Sequence, residues 1–369
     1  MTVIGLWPVK LTKFKLSIYN AYFYICFCYY IAYDLTQASM VFISKGNFLE
    51  TADNLGVIIV YLVNIYKVLI CRSRRIKSLI ERIANQEGAI LENADGEIRK
   101  IYRNHVRSAF ISAVYYVSLG SAGISLYFVA PILKNWLEER EQSKYLIFRS
   151  WFPFNTDKYY WPAYAIQLVG GFIGYSYIVY PGTFMFCLLK FCVGQLKILQ
   201  HILRNVTYYS EGFAWGKNRE EFVKSCIREH QKIIKLIEDF DESMRTFILL
   251  DFVISSFQLS LVVYGLLESN GLDIARFAIL SYFITLCSQL FIFYWNAHEI
   301  FIESTNLAAA IFESQWFDLE IPVQKMLAIM MLRAQKPLSV SIGPLYKIRI
   351  DALIGIFKAI YSYVAVIRK

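Results

Sequence analysis

The chain has 369 residues, of which 57% are hydrophobic and only 18% are charged. A soluble globular domain averages about 45–50% apolar and about 25% charged residues, so this composition points to a membrane protein. The apolar segments described next, each about 20 residues or longer, predict that it is all-α. The net charge of +9 predicts basic loops on one side of a membrane, not a nucleic-acid partner.

Seven apolar segments follow one another along the chain. A helix that crosses about 30 Å of hydrocarbon needs roughly 20 mostly apolar residues. Six segments clearly reach that length, namely 16–43, 52–71, 108–133, 161–191, 246–267 and 278–295. Segment 343–367 is a weaker seventh candidate. The stretch 324–335 is too short to span, and we predict that it forms a cytosolic helix leading to the last span.

Lys and Arg divide unevenly between the two sides of these segments. The N-terminal segment and the second, fourth and sixth loops carry 23 of them, whereas the other three loops carry seven. The positive-inside rule therefore predicts a cytosolic N-terminus, and seven spans then place the C-terminus outside. This orientation is opposite to that of G-protein-coupled receptors.

Two large loops on the predicted cytosolic side show apolar residues at helical spacing. They contain "SRRIKSLIERIA" and "EFVKSCIREHQKIIKLIEDFDESM". One stripe of the second comprises Phe222, Cys226, His230, Ile233, Ile234, Ile237 and Phe240. Such a stripe needs a partner, either in a neighbouring subunit or within the same subunit, and the sequence leaves both alternatives open.

No catalytic, phosphate-binding or zinc-binding motif occurs in the sequence. The four histidines lie far apart, and the seven cysteines fall in predicted spans or cytosolic loops. We therefore expect no metal, no cofactor and no disulfide framework. The chain is predicted not to be an enzyme.

The last apolar segment contains charges, which are expensive at mid-bilayer and therefore face water or other protein. On a wheel of 100° per residue, one edge of about 80° of arc collects polar and small residues. They are Lys347, Asp351, Gly355, Lys358, Ser362, Ala365 and Lys369. This edge either packs against helices of the same chain or lines a water-filled path between subunits, and both alternatives stay open.

Aromatic, hydroxyl and amide side chains are frequent in the outer or middle parts of five spans. They are Tyr61, Ser121, Ser125, Tyr127, Tyr164, Gln167, Tyr175, Tyr264, Tyr282 and Phe283. Gly170, Gly171 and Gly174 leave room beside the fourth span. An apolar pocket with a few polar groups suits a small volatile ligand, although ordinary interhelical packing explains the same residues.

Four segments carry signatures whose order along the chain is specific. They are "GLWPVK" near the N-terminus, "WFPFNTDKYYWPAY" before the fourth span, "EHQKIIKLIEDFDESM" before the fifth, and "QKMLAIMMLRAQKPLSVSIGPLYKI" followed by "IYSYVAVIRK" at the C-terminus. Together they resemble the insect odorant receptor family over essentially the whole chain.

The resemblance implies an odorant-gated, non-selective cation channel in which four subunits surround one pore. Residues 1–296 would form six transmembrane helices with an outer-half ligand pocket, 297–340 a cytosolic helical anchor, and 341–369 a pore-lining seventh helix. The implied gate residue is Val366. The expected pore residues are Lys358, Ser362, Tyr363, Val366 and Lys369, and the expected odorant contacts are Val57, Tyr61, Ser121, Ser125, Gln167, Gly171, Tyr175, Tyr264 and Phe283.

The loop between the fourth and fifth spans lacks the long insertion of the family's shared co-receptor. The chain therefore resembles an odorant-specific tuning subunit that forms a hetero-tetramer with the co-receptor, surrounded by membrane lipid, in the plasma membrane of olfactory sensory neurons. Four copies of Lys358 around one cation path would repel a permeating cation, which also favours a mixed tetramer. The alternatives are a gustatory receptor of the same superfamily and, in another class, a transporter, which would usually show internal repeats.

Overall fold

The computed structural model describes residues 13–43, 48–93, 95–138, 144–211, 219–268, 274–344 and 346–367, and most of them are helical. The helices are α1 (Lys13–Ile43), α2 (Phe48–Cys71), α3 (Arg74–Asn93), α4 (Gly96–Leu137), α5 (Tyr160–Arg204), α6 (Val206–Glu211), α7 (Arg219–Glu268), α8 (Ile274–Phe312), α9 (Ile321–Ala334) and α10 (Ile350–Ile367). A short 3-10 helix (Trp316–Asp318) precedes α9, and an antiparallel hairpin of β1 (Ser341–Ile342) and β2 (Tyr346–Lys347) precedes α10. The predicted all-α class is confirmed.

Several helices are much longer than a membrane is thick. Within the described residues, α4, α5, α7 and α8 are long and apolar enough to cross a bilayer, and Ile58–Cys71 of α2 is a shorter apolar stretch. α7 has 50 residues, about 75 Å at 1.5 Å per residue, against about 30 Å of hydrocarbon. The helical spacing of the adjoining loop correctly predicted that this helix continues beyond its apolar part.

Local sequence explains where two of the helices begin. Asp95 caps α4, because its carboxylate accepts a hydrogen bond from Gly96 N at 2.6 Å. Pro322 lies in the first turn of α9, where a missing backbone N–H removes no helical hydrogen bond. The predicted short helix over 324–335 is therefore confirmed with an earlier start.

α5 is the central helix of the bundle. It packs against α4 and α8 and also contacts α1, α2 and α7, and its side chains are buried along most of its length. The main apolar core joins its C-terminal half to α7, α8, α9 and α10, and its fully buried members include Leu189, Leu196, Ile300, Leu327 and Ile356. A smaller cluster joins α1, α2 and α5 through Phe23, Tyr30, Tyr33, Tyr61, Val68 and Tyr177.

The apolar stripe of α7 packs within its own chain. Six of its members are 2–4% exposed, namely Phe222, Cys226, His230, Ile233, Ile237 and Phe240. They lie in or beside the core that α7 shares with α8 and α9. Of the two alternatives left open by the sequence, packing within one subunit is therefore the one observed.

The last helix begins later than the sequence predicted. We expected one helix from residue 343 onward, but α10 starts at Ile350, and Lys347 lies in β2. Gly343 adopts a φ of +55°, a left-handed conformation that glycine tolerates, and Pro344 follows it. The resulting turn forms the hairpin, so placing Lys347 on the helical edge was wrong.

α9 has one buried face and one exposed apolar face. Its inward residues Val323, Leu327, Met330 and Ala334 are buried. Three outward residues are 63–67% exposed, namely Ile321, Ile329 and Leu332. An amphipathic helix that also shows apolar side chains on its outer face marks a surface suited to another protein.

Candidate ligand site and pore helix

Two adjacent glycines let aromatic rings lie directly on opposite faces of α5. A Cβ built on Gly170 would lie 2.6 Å from the ring of Tyr33, which comes from α1. A Cβ built on Gly171 would lie 2.8 Å from the ring of Phe128, which comes from α4. Any larger residue at either position displaces the ring, so α5 separates an α1 side from an α4 side.

On the α4 side, the hydroxyls of Ser121 and Tyr175 lie 2.9 Å apart. The Tyr175 hydroxyl donates to Val117 O at 2.9 Å, so Ser121 donates to Tyr175. The exposed Ser125 donates to Ser121 O at 2.8 Å. A hydroxyl that already donates can still accept through a free lone pair, so Ser121, Ser125 and Tyr175, the serine strip, can accept a hydrogen bond from a ligand. Three predicted contact residues are thereby brought together.

Gln167, another predicted contact, ties down the segment that precedes α5. Its side chain is 0% exposed. Nε2 donates to Phe148 O at 2.7 Å, and Oε1 accepts from Phe148 N at 3.0 Å. Asn135 of α4 binds the backbone of Tyr145 in the same two-way manner, at 2.9 and 2.7 Å. Residues 144–159 are therefore held against α4 and α5, and Phe148 covers the face of α5 beside Gly171.

Tyr61 belongs to a second group on the α1 side of α5. Its ring stacks on Tyr30 with 4.8 Å between centroids, and Tyr30 meets Tyr177 edge-on at 5.2 Å. A Cβ on Gly174 would lie 3.2 Å from the Tyr61 hydroxyl, so the glycine permits this close approach. The helix α5 thus stands between Tyr61 and the serine strip.

α1 contributes a buried polar stripe that we did not predict. Tyr30, Tyr33, Asp34 and Gln37 are each at most 6% exposed. Each of them, and also Asn64 of α2, has a buried polar atom without a hydrogen-bond partner among the described residues. Unpaired buried polar atoms are costly, so this stripe is suited to bind water or the polar group of a ligand. The four α1 residues are spaced i, i+3, i+4 and i+7, and this spacing is the sequence signal that could have identified the stripe.

A small cavity lies deeper, between α2, α5, α7 and α8. It encloses about 20 Å³, which is room for about one water molecule. Lys67 and Asp251 form an ion pair on its wall. Gln289 also lines it and accepts a hydrogen bond from Tyr116 at 2.8 Å. The cavity suits hydration of the ion pair and is too small for an organic ligand.

α10 has one face inside the subunit and one outside. Ala352, Leu353, Ile356 and Ile360 are at most 9% exposed and belong to the main core. The members of the predicted edge that lie in α10 and have described side chains are all exposed, namely Asp351, Gly355, Lys358, Ser362 and Ala365. Packing of this edge against the chain's own helices is therefore excluded for these residues.

The other predicted site residues lie outside these groups. Phe283 packs against the main core, and Tyr264 is half-buried on α7. Val57 lies in α2, but its side chain falls outside the described part of the structure. Two pore candidates, Tyr363 and Val366, lie in α10, but their side chains also fall outside the described part. A third, Lys369, lies wholly outside the described residues.

Comparison with known proteins identifies the family. The family model described as 7tm odorant receptor matches residues 47–361, which is most of the chain. The chain belongs to the insect odorant receptor family. The match confirms the resemblance carried by the short motifs and favours the odorant branch over the gustatory alternative.

Relatives of this odorant receptor occur in mosquitoes and flies. It is 25% identical to odorant receptor Or2 of Anopheles gambiae over 315 residues, covering 82% of this chain and 79% of the relative. It is 26% identical to odorant receptor 10 of Aedes albopictus over 282 residues, covering 74% and 72%. The odorant receptor coreceptor of Drosophila melanogaster is 22% identical over 155 residues, covering 41% and 32%. Because the relatives are odorant receptors, the prediction that the chain is not an enzyme is confirmed.

A solved structure shows the same fold. The insect olfactory receptor OR5 from Machilis hrabei in complex with eugenol superposes with a TM-score of 0.82 at 15% identity, over 99% of this chain and 94% of that chain. A second structure of the same receptor gives a TM-score of 0.80. The likeness shows the all-α fold. Membership of the odorant receptor family, together with the four described helices long and apolar enough to cross a bilayer, makes the chain a multi-pass membrane protein.

Proposed function

We propose that the chain is a tuning subunit of an odorant-gated, non-selective cation channel. It binds a small volatile odorant within its helix bundle and opens a pore shared with the odorant receptor co-receptor in a hetero-tetramer. The observation that carries this proposal is the two-faced α10, whose apolar face is buried while its polar edge faces out of the subunit. Charges within a membrane need water or protein beside them, and a central pore supplies water.

In this proposal seven helices cross the membrane: α1, α2, α4, α5, α7, α8 and α10. The N-terminus is cytosolic and the C-terminus extracellular. The uneven division of Lys and Arg, 23 against seven, supports this orientation. Residues 1–296 then hold six spans, 297–340 the cytosolic anchor, and 341–369 the hairpin with the pore-lining helix.

The exposed apolar face of α9 supports assembly into a tetramer. Ile321, Ile329 and Leu332 are each more than 60% exposed although they lie on a helix whose other face is core. Contiguous exposed apolar side chains on a protein surface mark contact sites. In the proposed anchor, this face packs against a neighbouring subunit below the membrane.

The proposed odorant contacts lie on both sides of α5. We keep the nine predicted residues and add Tyr30 and Tyr33, whose buried hydroxyls have no hydrogen-bond partner within the part of the chain that the structure describes. A ligand with an oxygen atom, such as an alcohol, an ester or a ketone, would supply the missing hydrogen bond. The Machilis hrabei receptor described in complex with eugenol supports a small-molecule ligand for this fold.

The proposed pore is formed by the exposed edge of α10. Lys358 and Ser362 lie on it, and Tyr363, Val366 and Lys369 continue the segment, with Val366 as the gate. Four copies of Lys358 around one path would repel one another and the permeating cation. One or a few copies among co-receptor subunits reduce that repulsion, which supports the mixed tetramer in the plasma membrane of olfactory sensory neurons.

Co-expression with the co-receptor tests this function. Cells that express this chain together with the co-receptor should give odorant-evoked cation currents with a broad odorant panel. Cells that express the co-receptor alone control for its own activity, and cells that express only this chain should conduct poorly. Robust odorant-evoked current from this chain alone would contradict the proposed assembly, and transport of the odorant itself without an ionic current would contradict a channel.

A further inference from the structure

A polar groove lies where α7, the end of α9 and the hairpin before α10 meet. It has a volume of about 520 Å³. Its charged lining residues are Glu238, Asp241, Arg245, Arg333, Lys336 and Lys347. Four basic side chains from three parts of the chain therefore converge on a space that contains two acidic ones.

One of the two carboxylates is already occupied. Asp241 is 8% exposed and accepts hydrogen bonds from Ser341 N at 2.6 Å and from Arg245 at 2.8 Å. It therefore holds β1 against α7 and is not available to neutralise the other cations.

The groove keeps a net positive charge when its own carboxylates are counted. Arg245 is paired with Asp241, which leaves Glu238 against Arg333, Lys336 and Lys347. Lys336 and Lys347 are exposed and form no ion pair within the described residues. Arg333 donates to Lys336 O at 3.2 Å, so its guanidinium is oriented beside them. Positive charge is thus concentrated in a concave site, which attracts anions more strongly than the same charges on a flat surface.

The groove lies at the edge of the membrane in the proposed topology, on which this inference rests. Arg245 directly precedes the apolar segment 246–267, and Lys347 lies three residues before α10. That topology turns this edge toward the cytosol. Basic pockets between membrane helices on the cytosolic side suit phosphorylated lipid headgroups, because several cations can meet several phosphate oxygens.

We propose that this groove binds a phosphorylated inositol group, and that this group is the headgroup of an anionic lipid in the inner leaflet. The site favours more than one phosphate, because its cations lie on three separate elements. Lys347 belongs to the strand that leads into α10, and Asp241 holds the opposite strand. Occupancy of the groove therefore acts on the start of the pore helix.

Binding to the assembled channel tests the site without requiring an odorant response. The full chain, purified with its co-receptor, is titrated with short-chain phosphatidylinositol bisphosphate, with free inositol trisphosphate and with phosphatidylserine. Lys336→Gln combined with Lys347→Gln should weaken phosphatidylinositol bisphosphate binding roughly 30-fold, since each basic residue near a membrane surface contributes severalfold. Lys235→Gln combined with Lys325→Gln removes the same charge from exposed positions of α7 and α9 outside the groove and should change little.

Equal loss in both double variants, or no loss in either, would overturn the groove assignment. Tight binding of the lipid with weak binding of inositol trisphosphate supports the membrane source, whereas equal binding of both overturns that source. Preferred binding of phosphatidylserine overturns the phosphorylated group itself. A channel that binds the phosphoinositide but gives no odorant-evoked current would contradict the proposed function and leave the groove assignment intact.

Discussion

Lys67 of α2 and Asp251 of α7 form an ion pair inside the helix bundle, with side chains 7% and 21% exposed. The Lys67 ammonium also lies 4.9 Å from the centroid of the Phe247 ring. The pair links α2 to α7. Helix α2 carries the ligand candidate Tyr61, and α7 binds the hairpin before α10 through Asp241. The two proposed functional regions are therefore joined by one charged contact.

Loss of one partner of this pair should destabilise the receptor strongly. Lys67→Met or Asp251→Leu leaves the other charge buried and unpaired, which costs about 3–5 kcal/mol. The double variant should recover most of the wild-type thermal midpoint, measured by fluorescence-detected size-exclusion chromatography. Lys100→Gln breaks an exposed pair with Glu97 and should change the midpoint little. A double variant as unstable as the sum of the two single variants would contradict this account.

Gly171→Ala should disturb the α4 side of α5. The new methyl group would lie 2.8 Å from Phe128, and such overpacking typically costs about 1–3 kcal/mol. We expect a lower thermal midpoint and a changed odorant concentration for half-maximal current. Gly265→Ala is the matched control, because no other described part of the chain lies within 4 Å of its Cβ. Similar effects of the two substitutions would show that the close approach of Phe128 is unimportant.

Tyr61→Ala and Tyr175→Ala should change odorant potency without changing single-channel conductance. Each substitution removes a phenol ring and its hydroxyl from a proposed contact surface. We expect about a tenfold change in the odorant concentration for half-maximal current, or about 1.4 kcal/mol. Tyr208→Ala, at a position 69% exposed on α6, should leave potency unchanged. If conductance moved while potency did not, the ligand assignment would be wrong.

Lys358→Gln should change single-channel conductance and leave odorant potency nearly unchanged. It removes a positive charge from the exposed edge of α10, so the energy of a cation beside it should fall and single-channel conductance should rise. Odorant potency should change little, because Lys358 is remote in the proposal from the odorant contacts. Lys325→Gln on α9 controls for a general effect of charge. Unchanged conductance would argue against a pore-facing Lys358.

His230 should contribute to the loss of stability at acidic pH. Burial, and then the charge of Arg333, lowers the pKa of His230 to about 4, against an ordinary value of about 6.5. Between these values the unfolded chain binds a proton that the folded chain does not, so stability falls as the pH falls from about 6.5 to 4. The difference in thermal midpoint between wild type and His230→Asn should therefore shrink over this range.

At pH 7.5 the same difference reports only the packing of the imidazole, which provides the reference. Glu299 is common to both proteins. Although burial opposes its ionisation, the ion pairs with Lys190 and Lys197 hold the pKa of Glu299 below its ordinary value. Its contribution is lost as the pH falls through that lowered pKa, and it cancels in the comparison. A difference that stays constant with pH would contradict the assignment to His230.

Periodicity predicted the helices well, because apolar spacing is a local property that survives into the fold. It identified the long extension of α7 and the short α9, and it predicted an edge of α10 whose described members are exposed. It failed at residues 343–349, where Gly343 and Pro344 form a turn within a run that is otherwise apolar enough for a helix.

The candidate site was harder to predict because its neighbours come from distant parts of the sequence. The serine strip with Tyr175 followed from residue type and position in the spans. The stripe on α1 was overlooked, because the burial of Tyr30 and Tyr33 becomes evident only when α2 and α5 pack against them. No pattern in the sequence pairs Lys67 with Asp251, because they lie 184 positions apart along the chain.

The turn before α10 limits how receptors of this family can be recombined. A Cβ on Gly343 would meet Leu249 of α7 at 2.8 Å, and Asp241 of the same helix accepts from Ser341 N. A chimera that imports the hairpin from another receptor must therefore import matching positions of α7. A junction placed after Ile348 exchanges the terminal helix and keeps the native contacts between the hairpin and α7.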